Sequence, residues 1–127
     1  QTAFERSSRR HVRFRLANGK SLDLSGPPAI MGVVNVTPDS FSDGGLAFDT
    51  QRAAERALAL FDEGAAVVDV GGESTRPSSY GDAQEVPAGE ETRRVVPVVA
   101  VVRGQTGLPL SVDTRKASVA RAAWQCA

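Results

Sequence analysis

Three short runs of apolar residues recur along the chain, and each is followed directly by a polar cluster. The runs occupy residues 30–34, 66–70 and 108–112. Their β-branched content and the Gly and Pro residues that flank them are typical of buried strands rather than of helices. Helical patterns separate the runs. This alternation predicts a parallel α/β sheet, in which ligands bind at the carboxyl ends of the strands.

The first predicted helix lies between the first two strands. Asp49 or Thr50 can cap its start, and Gly64 should end it in a left-handed conformation. The helix carries an apolar stripe made of Ala53, Ala54, Ala57, Leu58, Leu60 and Phe61. Small alanines in such a stripe should allow close packing on the sheet.

Two further helices are expected. The second should begin near residues 87–90, where acidic side chains suit the positive end of the helix dipole. Its apolar stretch, residues 95–102, has a period that a strand would also explain. Pro97 lies inside this stretch and, because proline lacks an amide donor, should bend or locally break a helix. The third helix is expected from residue 116 to about residue 126.

Ahead of the first strand, residues 11–24 alternate between apolar and polar positions around Asn18-Gly19. This dipeptide favours a type I′ hairpin because both of its residues tolerate positive φ. A hairpin in this position would cover the bottom of a barrel. His11, the only histidine, falls in the hairpin and is interpreted as a surface residue rather than as a catalytic one.

Composition narrows the classes of function. The 127 residues include 15 basic and 15 acidic side chains, so zero net charge gives no electrostatic case for a nucleic-acid or membrane partner. Five arginines within the first 15 residues are interpreted as part of a solvated terminus or strand face rather than as an anion- or nucleic-acid-binding arm. The single cysteine, Cys126, excludes an internal disulfide and a multi-cysteine metal site. No apolar run is long enough for a membrane span, and a cytoplasmic protein is expected.

The polar clusters are long and specific. The stretches NVTPDSFSDGG (35–45), DVGGESTRP (69–77) and SVDTRK (111–116) resemble, in order and approximate spacing, the first three signature blocks of dihydropteroate synthases. The resemblance implies the N-terminal portion of a (β/α)₈ TIM barrel. A closed barrel typically needs about 250 residues, so the barrel is incomplete here. We predict one partial domain over residues 1–127, with the hairpin at 11–24 and three βα units over 29–127.

Strand geometry predicts where the polar side chains meet. Because side chains alternate across a strand, Asn35, Asp69 and Asp113 should ring the top of the barrel interior, with Asn35 and Asp113 in one layer. Asp113 is a suitable acceptor for paired N–H donors of a pterin, or else it caps the following helix. Asp69 lies inside an apolar strand, so it must be paired or hydrogen-bonded, and its role could be only to orient its neighbours.

The resemblance implies roles for these strand-end residues and for the turn after the second strand. Asp113 would bind the pterin, and Asp69 would contribute to the substrate site. Asn35 would give one oxygen to a Mg²⁺ ion that keeps waters and takes further ligands from a pyrophosphate. Thr75, together with backbone amides of residues 71–74, would hold phosphate oxygens.

The two long loops would supply the remaining groups. An ion pair between Asp43 and Arg76 would close the loops over the substrates and exclude water, and these residues join Asn35 as the candidate catalytic residues. The resemblance places Phe41 and Pro77 against the ring of p-aminobenzoate. Ser78 is a further candidate for substrate binding.

The implied reaction belongs to folate biosynthesis. The amine of p-aminobenzoate displaces pyrophosphate from 6-hydroxymethyl-7,8-dihydropterin diphosphate and gives 7,8-dihydropteroate; in the family, sulfonamides compete for the p-aminobenzoate pocket. The later strands of the family are not present in this sequence, so the chain alone is expected to be weakly active or inactive. Two alternatives stay open: a pterin-binding domain of a methyltetrahydrofolate-dependent methyltransferase, and a non-catalytic remnant or half-barrel that pairs through its open sheet edges with another chain or copy.

Overall fold

The computed structural model describes residues 12–37, 45–73 and 85–126. These residues form, in chain order, β1 (Arg13–Arg15), β2 (Ser21–Asp23), β3 (Met31–Asn35), α1 (Gly45–Asp62), β4 (Val67–Gly71), α2 (Ala88–Gln105), β5 (Leu110–Asp113) and α3 (Ala117–Gln125). The strands β3, β4 and β5 form a parallel sheet in that order, while β1 and β2 form a separate antiparallel pair. The α/β class predicted from the apolar runs is confirmed, and within the described residues the sheet does not close.

Valines on one face of the parallel sheet build the core. Val34, Val68 and Val70 are each at most 3% exposed. They belong to one hydrophobic cluster with the predicted alanine stripe of α1 and with the valines of α2. Burying a valine side chain contributes about 1.5 to 3 kcal/mol relative to leaving it exposed, so these contacts hold both helices on the sheet.

The opposite face of the sheet is open to solvent on its first strand. Met31 and Val33 are each 54% exposed, whereas Gly32 and Val34 between and after them are buried. Strand alternation sends Asn35 to the same open face as Val33. This face corresponds to the interior of the predicted barrel.

Helix α1 corrects one prediction and confirms another. It begins at Gly45, so Asp49 and Thr50 lie inside the helix and neither caps its start. The helix extends farther back because the preceding Leu-Ala-Phe segment also accepts helical geometry. At the other end, Gly64 takes the predicted left-handed conformation, with φ at 110°. Its amide donates to the Phe61 carbonyl and the next amide donates to the Leu60 carbonyl, each at 3.0 Å, which is the Schellman pattern.

Helix α2 is continuous from Ala88 to Gln105, which confirms the predicted helix over the strand alternative for residues 95–102, and Pro97 does not break it. Proline removes one backbone donor, and the surrounding contacts outweigh that loss. The residues of this helix that anchor it by burial are Glu91, Val95, Val98, Val99 and Val102. Its start after Pro87 and its acidic first turn agree with the prediction.

The hairpin turn differs from the predicted type I′ geometry. Asn18 keeps a negative φ, and only Gly19 is left-handed, with φ at 80°. The Leu16 amide donates to the Lys20 carbonyl at 2.8 Å, and the Gly19 amide donates to the Leu16 carbonyl at 3.0 Å. The loop therefore has three residues, a geometry that needs one left-handed residue instead of two. His11 lies outside the described residues.

A close approach between β3 and α1 generates a stability prediction. A Cβ added to Gly32 would lie 2.9 Å from Leu60 Cδ1 and 3.1 Å from Leu60 Cβ. We expect Gly32→Ala to lower the free energy of unfolding by about 1 to 3 kcal/mol, because the extra carbon overpacks this contact. Urea denaturation followed by circular dichroism measures the change.

The matched control is Gly104→Ala in α2, where an added Cβ meets nothing within 4 Å. This substitution should raise the free energy of unfolding by about 0.5 to 1 kcal/mol, because alanine is the better helix former. Equal effects of the two substitutions would contradict the close approach of β3 to α1.

Candidate functional site

Asn35 and Asp113 lie in one layer at the carboxyl edge of the sheet. Both are in register with Gly71 of the middle strand, which confirms the placement predicted from strand alternation. Gly71 has no side chain, and a Cβ there would lie 3.3 Å from Asn35 Oδ1 and 3.8 Å from Asp113 Cβ. The glycine therefore allows the Asn35 amide oxygen and the Asp113 side chain to approach the middle strand closely from its two sides.

Asp69 lies one layer deeper, in register with Val33 on one side and Ser111 on the other. Ser111 Oγ donates a hydrogen bond of 2.6 Å to Asp69 Oδ1. Asp69 is thus hydrogen-bonded within the sheet, as its position in an apolar strand required. Ser111 was not among the predicted site residues. Its position two residues before Asp113, on the same face of β5, is the signal that would have identified it.

Asp113 does not cap the helix that follows it. It is the last residue of β5, and α3 begins at Ala117 after Lys116 in the cap position without a side-chain cap hydrogen bond. The Lys116 amide instead donates to Thr114 Oγ1 at 3.1 Å. The exposed carboxylate of Asp113 therefore stands at the strand end, where the pterin prediction requires it.

A network of ion pairs joins the ends of β4 and β5 to the first turn of α2. Lys116 Nζ lies 2.8 Å from Glu91 Oε2 and 3.0 Å from Glu73 Oε2. Arg115 Nη2 lies 2.6 Å from Glu73 Oε1. Glu91 is only 1% exposed, and a carboxylate buried to this degree needs its charged partner.

These contacts shift the pKa values of the network in matching directions. The hydrogen bond from Lys116, together with the charge of Arg115, holds the pKa of Glu73 below its ordinary value even though partial burial opposes the shift. Hydrogen bonds to Glu91 and then to Glu73 raise the pKa of Lys116. Both groups stay charged at neutral pH, so the network is intact under ordinary conditions.

Helix α2 also holds the backbone directly after β4. Arg94 Nη1 donates to the Gly72 carbonyl at 2.9 Å, and its guanidinium pairs with Glu90 at 3.2 Å. A Cβ on Gly72 would lie 2.9 Å from Val95 Cγ2, so only glycine fits this contact without a shift. The start of the segment that leads to Thr75 is therefore packed on α2.

The remaining predicted site residues lie outside the part of the chain that the structure describes. They are Phe41, Asp43, Thr75, Arg76, Pro77 and Ser78. Their assignments to phosphate, p-aminobenzoate and loop closure stay predictions.

The predicted Mg²⁺ site depends on Asn35. Across residues 12–37, 45–73 and 85–126, no group of three or more His, Cys, Asp or Glu side chains is arranged to hold a metal ion. The Asn35 amide oxygen, at the end of β3 beside Gly71, is a ligand type that suits a Mg²⁺ ion that takes one protein oxygen and fills its shell with water and phosphate oxygens.

A separate apolar groove of about 300 Å³ lies beside β5, between the hairpin and helices α2 and α3. Its wall includes Leu108, Leu110, Ala123 and Trp124. Neither Asp69 nor Asp113 lines the groove, and Ser111 is the residue that it shares with the candidate site. No helix in the described ranges has the length and apolar character needed to cross a membrane.

Residues 31–127 match the family of pterin-binding enzymes. The chain is 50% identical to the dihydropteroate synthase of Haemophilus influenzae over 107 residues, which are 84% of this chain and 37% of that protein. It is also 50% identical to the dihydropteroate synthase of Bacillus subtilis over 91 residues, which are 72% of this chain and 30% of that protein.

Solved structures agree with these relatives. The dihydropteroate synthase of Xanthomonas albilineans with 4-aminobenzoic acid is 49% identical with a TM-score of 0.80, over 92% of this chain and 41% of that one. The same species' enzyme in complex with 7,8-dihydropteroate is 44% identical with a TM-score of 0.72, over 91% of this chain and 39% of that one. The chain thus spans less than half the length of these relatives. The structural similarity confirms the fold predicted from the signature blocks, a portion of a TIM barrel.

The ion-pair network generates a pH prediction. The folded-state pKa of Glu73 lies below that of an ordinary glutamate, which is about 4.3. The unfolded chain therefore takes up this proton first as the pH falls, and the free energy of unfolding should decrease below about pH 4.3 until Glu73 is protonated in the folded state too.

Urea denaturation at a series of acidic pH values measures this decrease, and Glu73→Gln should flatten it. Glu63→Gln serves as the control, since Glu63 is exposed and its contact with Arg56 is 4.0 Å long. Identical acid slopes for the wild type and Glu73→Gln would contradict a stabilising role for the Glu73 carboxylate.

Proposed function

This chain belongs to the pterin-binding enzyme family, and we propose that it forms the N-terminal part of a dihydropteroate synthase. The proposed reaction joins p-aminobenzoate to 6-hydroxymethyl-7,8-dihydropterin diphosphate with loss of pyrophosphate. Identity of 50% to two dihydropteroate synthases supports this assignment. A relative with 4-aminobenzoic acid supports one of the two substrates, and a relative in complex with 7,8-dihydropteroate supports the product.

The single observation that carries the proposal is the layer formed by Asn35, Gly71 and Asp113. The exposed carboxylate of Asp113 can accept hydrogen bonds from two N–H groups on one edge of a pterin ring. The absent side chain at Gly71 lets Asn35 Oδ1 and the Asp113 side chain lie close to the middle strand in this layer. Asp113 is therefore the proposed anchor of the pterin.

Asp69 and Ser111 form the layer beneath this anchor. The hydrogen bond between them occupies one oxygen of Asp69, and we propose that the other accepts a hydrogen bond from the ligand. We assign Asp69 a role in the floor of the site, where its negative charge favours the N–H groups of a pterin over acceptor groups.

We propose that Asn35 supplies one oxygen to a Mg²⁺ ion shared with the diphosphate of the substrate. When bound, this ion would neutralise negative charge that develops on the departing pyrophosphate. The residues of the chain bind and orient the two substrates so that the amine lies in line with the leaving group. No covalent nucleophile is required, and neither Cys126 nor His11 has a proposed role.

The loop residues complete the proposal through the signature blocks that contain them. Thr75 and the amides of residues 71–74 would bind phosphate oxygens, while Asp43 and Arg76 would close the loops over the substrates. The proposed contacts with p-aminobenzoate come from Phe41, Pro77 and Ser78. Sulfonamides would compete at these contacts.

Several finer assignments accompany this function. A cytoplasmic location is supported by the single cysteine, since disulfides are rare in that compartment. The free edges of the sheet would allow the chain to pair with a second copy or with the remainder of a barrel.

A methyltransferase is not favoured, because the relatives described above are dihydropteroate synthases. Because the chain spans 37% of one relative and 30% of another, weak activity or none is expected of the chain alone.

Calorimetry of the purified chain tests the proposal, with an analogue of 6-hydroxymethyl-7,8-dihydropterin diphosphate in the presence of Mg²⁺. Asp113→Ala should weaken binding by about 10- to 100-fold, as expected when hydrogen bonds to a charged group worth about 1.5 to 3 kcal/mol are lost. Asn35→Ala should weaken binding when Mg²⁺ is present and change it little when Mg²⁺ is absent.

Asp62→Ala is the matched control for Asp113→Ala, because Asp62 is an exposed residue at the end of α1. It should leave the affinity unchanged. Binding that is indifferent to Asp113 would overturn the proposed function. No binding by a chain that circular dichroism shows to be folded would mean that other parts of the barrel are required for the site, and would favour a non-catalytic remnant.

A further inference from the structure

We propose that Lys116 is a positioning residue that fixes the carboxyl end of β5 against that of β4, and so sets where Asp113 lies in the candidate site. The expected effect on pterin binding rests on the function proposed above. The effect on the spacing of the strands does not, and the two are measured separately below.

One ammonium group joins three parts of the chain that are distant in sequence. Lys116 follows Asp113 by three residues, and Glu73 follows the last residue of β4 by two. Lys116 Nζ donates to Glu73 at 3.0 Å and to Glu91, in the first turn of α2, at 2.8 Å. Because a lysine ammonium has three donors, one side chain can hold both carboxylates at once.

The position of this contact matters because the backbone ladder ends just before it. Gly71 and Asp113 are the last paired residues of β4 and β5. The register shows β5 paired only with β4 among the described strands, so its end is held on one side alone. Lys116 adds a restraint beyond the last pair, at the point where strand ends otherwise separate most easily.

Burial distinguishes Lys116 from its neighbour Arg115. The Arg115 side chain is 64% exposed, and water screens its ion pair with Glu73. The Lys116 side chain is 16% exposed, and Glu91 opposite it is almost fully buried. The buried carboxylate of Glu91 gives a fixed point on α2, to which Lys116 ties the end of β5 and, through Glu73, the end of β4.

A single substitution of Lys116 would mix two effects. Removing the ammonium leaves the Glu91 carboxylate buried without a partner, which destabilises the whole fold. Lys116→Met combined with Glu91→Gln removes that charge and keeps the volumes similar, so it should recover most of the stability. It does not restore the link to Glu73, so a positioning defect should persist in the double variant.

The experiment compares four chains: the wild type, Lys116→Met, the Glu91→Gln/Lys116→Met double variant and Lys20→Met. The last is the matched control, because Lys20 is the only other lysine and lies in the hairpin loop. Calorimetry with the pterin diphosphate analogue and Mg²⁺ gives the affinity of each chain at a temperature at which circular dichroism shows it to be folded. Nuclear Overhauser intensities between backbone protons of Gly71 and Asp113 report the separation of the strand ends.

We expect both chains that lack Lys116 to bind the analogue at least about 10-fold more weakly than the wild type, a change of about 1.4 kcal/mol. The Gly71 to Asp113 intensities should fall in both of these chains, and Lys20→Met should change neither measurement. If the double variant regains both stability and wild-type affinity, Lys116 serves stability alone and the positioning proposal is wrong.

A failure of the proposed function gives a different result. If the wild type itself does not bind the analogue, the assignment as a pterin site fails for this chain. The intensities then decide the positioning proposal by themselves. Weakened Gly71 to Asp113 intensities in the double variant support it, and unchanged intensities overturn it.

Discussion

The hydrogen-bonded register of β3, β4 and β5 is the constraint on which the rest of the structure depends. Side chains alternate across a strand, so a shift of one residue would exchange the two faces of the sheet. Such a shift would turn Asn35 and Asp113 towards the helices and expose Val34 and Val70, which are now buried. The hydrophobic effect therefore selects the register, and the polar layer at the carboxyl edge follows from it.

Helices α1 and α2 then determine how firmly that edge is held. Glycines at Gly32 and Gly72 let Leu60 and Val95 approach the sheet more closely than any side chain would allow. At the carboxyl edge of the sheet, the contact between α2 and the segment after β5 is an ion pair between the buried Glu91 carboxylate and the Lys116 ammonium. Such a pair adds little net stability, but its geometry is strict. The candidate site thus combines a core fixed by packing with an edge fixed by charge.

Much of the site was predictable because its signals are local. The apolar runs predicted the positions of β3 and β4 to within one residue, because a buried strand requires apolar side chains at consecutive positions. The left-handed cap at the end of α1 was predictable from Gly64, because few residues other than glycine accept that conformation. The alternation of side chains along the strands predicted that Asn35 and Asp113 share one layer, and the observed register agrees. Local patterns failed where several geometries were compatible, as in the three-residue loop that contains Asn18.

The sequence by itself therefore determined the α/β class, the strands and the faces that they present, because each of these depends on the spacing of neighbouring residues. Only the tertiary structure decided that Lys116 contacts Glu73 and Glu91, which precede it by 43 and 25 residues. No local sequence pattern predicts these two contacts, because they depend on how β4, β5 and α2 pack against one another. The same is true of the hydrogen bond from Ser111 to Asp69, which exists because two strands 42 residues apart pair in one particular register.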